Sequence, residues 1–183
     1  MQFLLRISRW IDRISQWLGW IALGLTLVMT AIGAYNAITR YLGRYIGVNL
    51  SSNRYIEVQW YLSSLIFLLG AAYVLRKDAH VRVDIIYSRL SQRQKAWIDL
   101  GGALLMLVPF CTIVIIYSMP AVLNSWSVLE QSSDPAGLPR YPLKTMIPIA
   151  FAWLGIQGLS EAIKRIAILL GMTPLSDSQE VGS

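Results

Sequence analysis

The chain has 183 residues, 55% of them hydrophobic and only 14% charged, against about 25% charged in an ordinary soluble domain. Its net charge of +6 suggests nucleic acid at first. The basic residues, however, alternate with stretches too apolar to stay in water, so they set membrane topology and meet lipid headgroups.

In chain order, residues 3–18 read as an amphipathic helix. Phe3, Ile7, Trp10, Ile11, Ile14, Trp17 and Leu18 recur at helical spacing, with Arg6, Arg9, Arg13 and Gln16 on the other side. Such a helix either lies in the interface plane or extends the first span; the in-plane placement is the expectation taken forward. Arg6, Arg9, Asp12 and Arg13 interrupt the early apolar residues, so the N-terminus does not read as a cleavable signal peptide.

Residues 14–39 carry no charge, and about 20 apolar residues suffice to cross ~30 Å of hydrocarbon. Span one is therefore expected over 18–39, with Trp17 and Trp20 at one interface and Tyr41 and Tyr45 at the other. Span two is expected over 55–75. Glu57 falls in its first turn, where the helix dipole favours an anion and Arg54 lies three residues back. It is read as an interfacial structural cap in preference to a proton or ion site.

The following stretch is the most charged, with Arg76, Lys77, Arg82, Arg89, Arg93 and Lys95 against Asp78 and Asp84. Ser91 and Gln94 fit a capping box. Span three is expected over 97–126. Its uncharged run, Leu100–Leu129, is longer than a crossing requires, which calls for tilt, a kink at Pro109 or Pro120, or overhang. Cys111, the sole cysteine, lies in this run and is expected to pack as a small hydrophobe.

Residues 130–144 form a loop stiffened by Pro135, Pro139 and Pro142. Span four is expected over 144–165, with Glu161, Lys164 and Arg165 at the interface and the cations snorkelling. Residues 1–172 make a single membrane domain, and 173–183 are expected to be a disordered tail. Summed by side, the connecting segments place eleven basic residues with the termini and Arg76–Lys95, and five opposite. The positive-inside rule then puts both termini in the cytoplasm. Arg6, Arg9, Arg13, Arg76, Lys77 and Arg82 become candidate lipid anchors, with Trp17, Trp60 and Trp97 at headgroup level.

The chain offers no constellation for catalysis. His80 is the only histidine, so a haem held by paired histidines is excluded and a zinc site has too few ligands. No glycine-rich phosphate loop is present. Asp78/Arg82 and His80/Asp84 are each four apart and read as a local structural clamp. No expected span carries a charge at its centre, where secondary transporters usually place ionisable or discontinuous elements. The expectation is an all-α integral membrane protein of four transmembrane helices, with no enzyme activity and no cofactor.

Certain motifs add to this. Glu57-Val58-Gln59-Trp60 opens span two and Phe67-Leu68-Leu69-Gly70-Ala71-Ala72-Tyr73 closes it. His80-Val81-Arg82-Val83-Asp84, Leu90-Ser91, Pro109-Phe110, Trp126, Glu130, Gly137-Leu138-Pro139, Lys144 and Pro148 follow in order. In this series the chain resembles the DctQ-like small membrane subunit of tripartite ATP-independent periplasmic (TRAP) transporters, over roughly Ile14 to Leu170. The resemblance implies a small permease subunit of a sodium-coupled importer of solutes, commonly organic acids, in the bacterial inner membrane. It implies two protein partners, a large membrane subunit that holds substrate and sodium and a periplasmic substrate-binding protein; phospholipids are expected as further partners. Glu130, Asp134 and Arg140, on the outer loop, become candidates for docking the binding protein. The alternative is a small membrane anchor of a redox or enzyme complex.

Overall fold

The structure is a computed structural model that describes residues 2–47, 52–78, 90–134 and 137–171. It is helical, with four helices long and apolar enough to cross a membrane: α1 (Gln2–Ile46), α2 (Asn53–Arg76), α3 (Gln92–Ser127) and α4 (Tyr141–Leu169). Each contains one of the expected spans.

Local chemistry sets the helix ends. Ser52, in extended conformation, begins α2 by accepting from Arg54 N. Ser91 begins α3 with the expected capping box: its hydroxyl accepts from Gln94 N at 3.4 Å, and Gln94 Oε1 accepts from Ser91 N at 2.9 Å. Within α3, Gly102–Leu107 is π-helical. The segment abuts Pro109, which cannot donate to the carbonyl four residues back and whose ring crowds it, so the helix widens there. Pro120 lies within the α-helical remainder.

Helix α1 runs unbroken for 45 residues, so residues 3–18 continue directly into the first span. Ser8, Asp12 and Ser15 form a second polar stripe at helical spacing, and it faces α4. Ser8 Oγ lies 2.6 Å from Ser160 Oγ, Ser15 Oγ donates to Gln157 Oε1 at 2.7 Å, and Trp153 Nε1 donates to Ser15 Oγ at 3.0 Å. These bonds run antiparallel along α4 and extend α1 as part of the bundle.

Helix α4 is central and packs against all three others. It does so with small residues: Ala150, Gly158, Ser160, Ala162 and Ala167 are buried. A Cβ on Gly158 would stand 2.7 Å from Leu107 Cδ2, so any larger residue there would make the Leu107 side chain of α3 shift. Cys111 is buried as a free thiol, as expected. The largest fully buried side chains are Gln157, Ser8, Ser15, Ser125 and Ser160, while Leu27, Phe67, Leu105, Met106 and Tyr117 are exposed. A soluble domain would bury the second set. In lipid, apolar surface is at home outside, and small polar residues bind helix to helix within.

Candidate functional site

Both ends of the bundle are held by polar side chains, and each end joins elements far apart in sequence. At the end that carries the loop 130–140, α3 stops at Ser127, and Leu129 just beyond it is left-handed, with φ of 44°. Glu130 N then reaches back to Ser125 O at 2.9 Å, the six-to-one bond of a helix C-cap. The chain folds on itself through an antiparallel bridge between Gln131 and Pro139. Ser132 N donates to Leu138 O at 3.1 Å, and Arg140 N to Glu130 O at 2.8 Å. Gly137 is needed at the tip, because a Cβ there would meet Ser132 Cβ at 2.4 Å.

Two carboxylates fix this loop. Glu130 accepts from Ser125 Oγ at 2.7 Å and pairs with Lys144 in the first turn of α4. The Lys144 hydrogen bond, and then that of Ser125, holds its carboxyl below the ordinary value of 4.5. Glu57, from α2, is buried. It accepts from Ser132 Oγ through one oxygen and from Leu138 N at 2.5 Å through the other. The loop is thus tied to α2 by Glu57 and spans α3 and α4 by Glu130–Lys144. Trp126 adds a bond from Nε1 to Thr145 Oγ1 at 2.8 Å, and its ring packs against Tyr141 at a tilt of 54°. A cavity of about 280 Å³ remains under the loop, lined by Glu57, Tyr61, Ser132, Asp134, Arg140 and Lys144.

At the opposite end, the adjacent cations Lys164 and Arg165 of α4 gather the other helices. Lys164 lies 2.7 Å from Asp12 of α1 and 2.8 Å from Glu161. Arg165 lies 3.3 Å from Asp99 of α3 and 3.6 Å from Asp78, just beyond α2. Gln157 Nε2 donates to Asp12 Oδ1 at 2.8 Å and to Glu161 Oε1 at 3.1 Å, and Arg76 donates to Gln16. Lys164 and Arg165, expected at the interface, are also paired, because carboxylates of other elements lie within reach.

Of the sequence candidates, Glu57 accepts hydrogen bonds from the distant loop residues Ser132 and Leu138. Glu130 faces inward to Lys144. Asp134 and Arg140 are exposed, and Arg140 also donates to Ser132 Oγ at 3.3 Å. Arg6, Arg9, Arg13, Lys77, Trp17, Trp60 and Trp97 are exposed, and Arg76 is half-buried. His80, Arg82, Asp84 and the tail 173–183 lie outside the described residues. Among the described residues, no group of three or more His, Cys, Asp or Glu side chains could hold a metal. The polar joint of Ser8, Asp12, Ser15 and Gln157 was missed from sequence. Its signal is present, since Ser8/Asp12/Ser15 and Gln157/Ser160/Glu161/Lys164 each recur on one helical face.

Four apolar helices closed by polar joints at both ends define a multi-pass membrane protein. Residues 29–167 match the family of tripartite ATP-independent periplasmic transporters, DctQ component, and the chain belongs to that family. No curated protein and no solved structure matches it. It is therefore a small permease component of a TRAP transporter, a part of a larger membrane assembly.

Proposed function

We propose that the chain is the static small subunit of a sodium-coupled importer of organic acids in the bacterial inner membrane. In this reading it braces a large transport subunit and presents the 130–140 loop to a periplasmic binding protein. Both termini lie in the cytoplasm, where Arg6, Arg9, Arg13, Arg76, Lys77 and Arg82 meet anionic lipid.

The observation that supports this is the loop clamp. Surface loops are ordinarily mobile. Here two carboxylates, a bridge and a close-packed glycine hold one loop against three helices. A surface fixed in advance loses less conformational entropy when a partner docks. Asp134 and Arg140 stand on its exposed side, while Glu130 keeps it in shape.

The test is uptake by proteoliposomes containing both membrane subunits and the binding protein. Asp134→Lys and Arg140→Glu are expected to lower uptake at limiting binding protein by about tenfold, the scale of a lost charge-assisted contact. The two membrane subunits should still co-purify. Unchanged uptake in both variants removes the docking role.

A further inference from the structure

Where α1 meets α2 at the loop end lies a second cavity, of about 350 Å³, which the loop clamp does not use. Gly33, Asn36, Arg40 and Tyr41 of α1 and Gln59 and Trp60 of α2 line it. Asn36 is only 8% exposed, yet its side-chain Oδ1 meets no hydrogen-bond donor. A buried acceptor left unmet destabilises the fold that holds it. Its neighbours are occupied: Gln59 Nε2 donates to Tyr55 O at 3.1 Å, and Thr39 Oγ1 donates to the backbone carbonyl of Asn36 at 3.1 Å. Among the described residues that line the cavity, Arg40 alone carries charge, and no ion pair among the described residues includes it. Trp60, 72% exposed beside it, is suited to the headgroup boundary.

Farther along the same two helices lies a separate, apolar cleft. Gly19, Thr26, Gly33 and Arg40 are seven apart and share one stripe of α1; Trp60, Phe67 and Val74 do the same on α2. The inner parts of both stripes line an apolar cleft of about 650 Å³, with Phe110 and Phe151 against it. Trp60, which lines the cavity, and Phe67, which lines the cleft, are seven residues apart, or about 10 Å of helix. One leaflet contributes about 15 Å of hydrocarbon, so a chain whose headgroup sits in the cavity reaches the cleft along α2.

We propose that this cavity binds a phosphate-ester headgroup, that of a phospholipid in the leaflet on the loop side, with an acyl chain along the α1–α2 stripe. The phosphate meets the Arg40 guanidinium. A hydroxyl or ammonium of the headgroup supplies the donor that Asn36 Oδ1 lacks. The site is distinct from the exposed arginines at the opposite end of the bundle, and it holds whichever way the chain is oriented.

The full-length protein in mild detergent, stripped of phospholipid, tests this by thermal melting. Didecanoyl phosphatidylglycerol is expected to raise Tm saturably. Arg40→Gln and Asn36→Leu should each weaken the apparent affinity by about tenfold, while Arg13→Gln leaves it unchanged. Arg40 is exposed, so Arg40→Gln remains a valid test even if Asn36→Leu fails to fold. Glycerol 3-phosphate should give no shift; an Arg40-dependent shift with it would keep the phosphate site and assign it to a soluble ester. Didecanoylglycerol acting as well as the phospholipid, or Arg40→Gln binding like wild type, overturns the proposal.

Discussion

A carboxamide both donates and accepts, and Gln157 uses the two functions together. Its oxygen takes the Ser15 hydroxyl, while its amide reaches Asp12 and Glu161. Wholly buried in α4, it ties the helix to α1 with no charge of its own. Gln157→Leu is close in volume but leaves the Ser15 hydroxyl and the Asp12 oxygen short of a partner. It is expected to destabilise the protein by about 1–3 kcal/mol, read as an earlier unfolding midpoint in mixed micelles by circular dichroism. A midpoint equal to wild type would mean that water replaces the amide without loss. The joint was half legible in sequence. The stripe Ser8/Asp12/Ser15 has helical spacing, but the arginine stripe beside it has the same spacing and more charge. Periodicity alone does not say which polar stripe meets protein and which meets water.

At the scale of elements, the loop between α3 and α4 behaves as a stapled unit whose staple titrates. Lys144 and Ser125 hold the Glu130 carboxyl below 4.5. A depressed carboxylate contributes stability that is fully present above its unfolded pKa. That stability is lost as pH falls through the lower folded value. The loop should therefore stay closed at neutral pH and loosen only below about 4.5. Hydrogen exchange at the Arg140 amide, corrected for the intrinsic rate, reports this. Lys144→Met is expected to move the loosening to higher pH, and a transition that stays in place would deny Lys144 the role of staple. Sequence gave the loop its bounds and its stiffness. It did not give the clamp, because Glu57 and Ser132 are 75 residues apart and nothing local to Glu57 names its partner. The capping box at Ser91 was legible for the opposite reason: both of its halves lie within one turn. The length of the uncharged run called for tilt, overhang or a kink at Pro109 or Pro120; the π-helical widening at Gly102–Leu107 was not among the expected forms.

For the whole molecule, four spans follow from apolar length alone, and the basic count selects one of two orientations. Cysteine labelling in intact cells separates them. Cys111 is buried, so Cys111→Ser gives a clean background for exposed probes. Asp134→Cys should react with a membrane-impermeant maleimide from outside, and Lys77→Cys only after permeabilisation; the reverse pattern inverts the topology. Because α4 contacts every other helix yet comes last in the chain, the order of synthesis has consequences. When α1 and α2 enter the membrane, the helix that satisfies Ser8, Asp12 and Ser15 has not yet been made. The nascent subunit must carry those groups unmatched until the ribosome has passed Lys164. A chain cut short before Gln157 would leave them permanently unmatched, a mark by which membrane proteases could tell an unfinished subunit from a finished one.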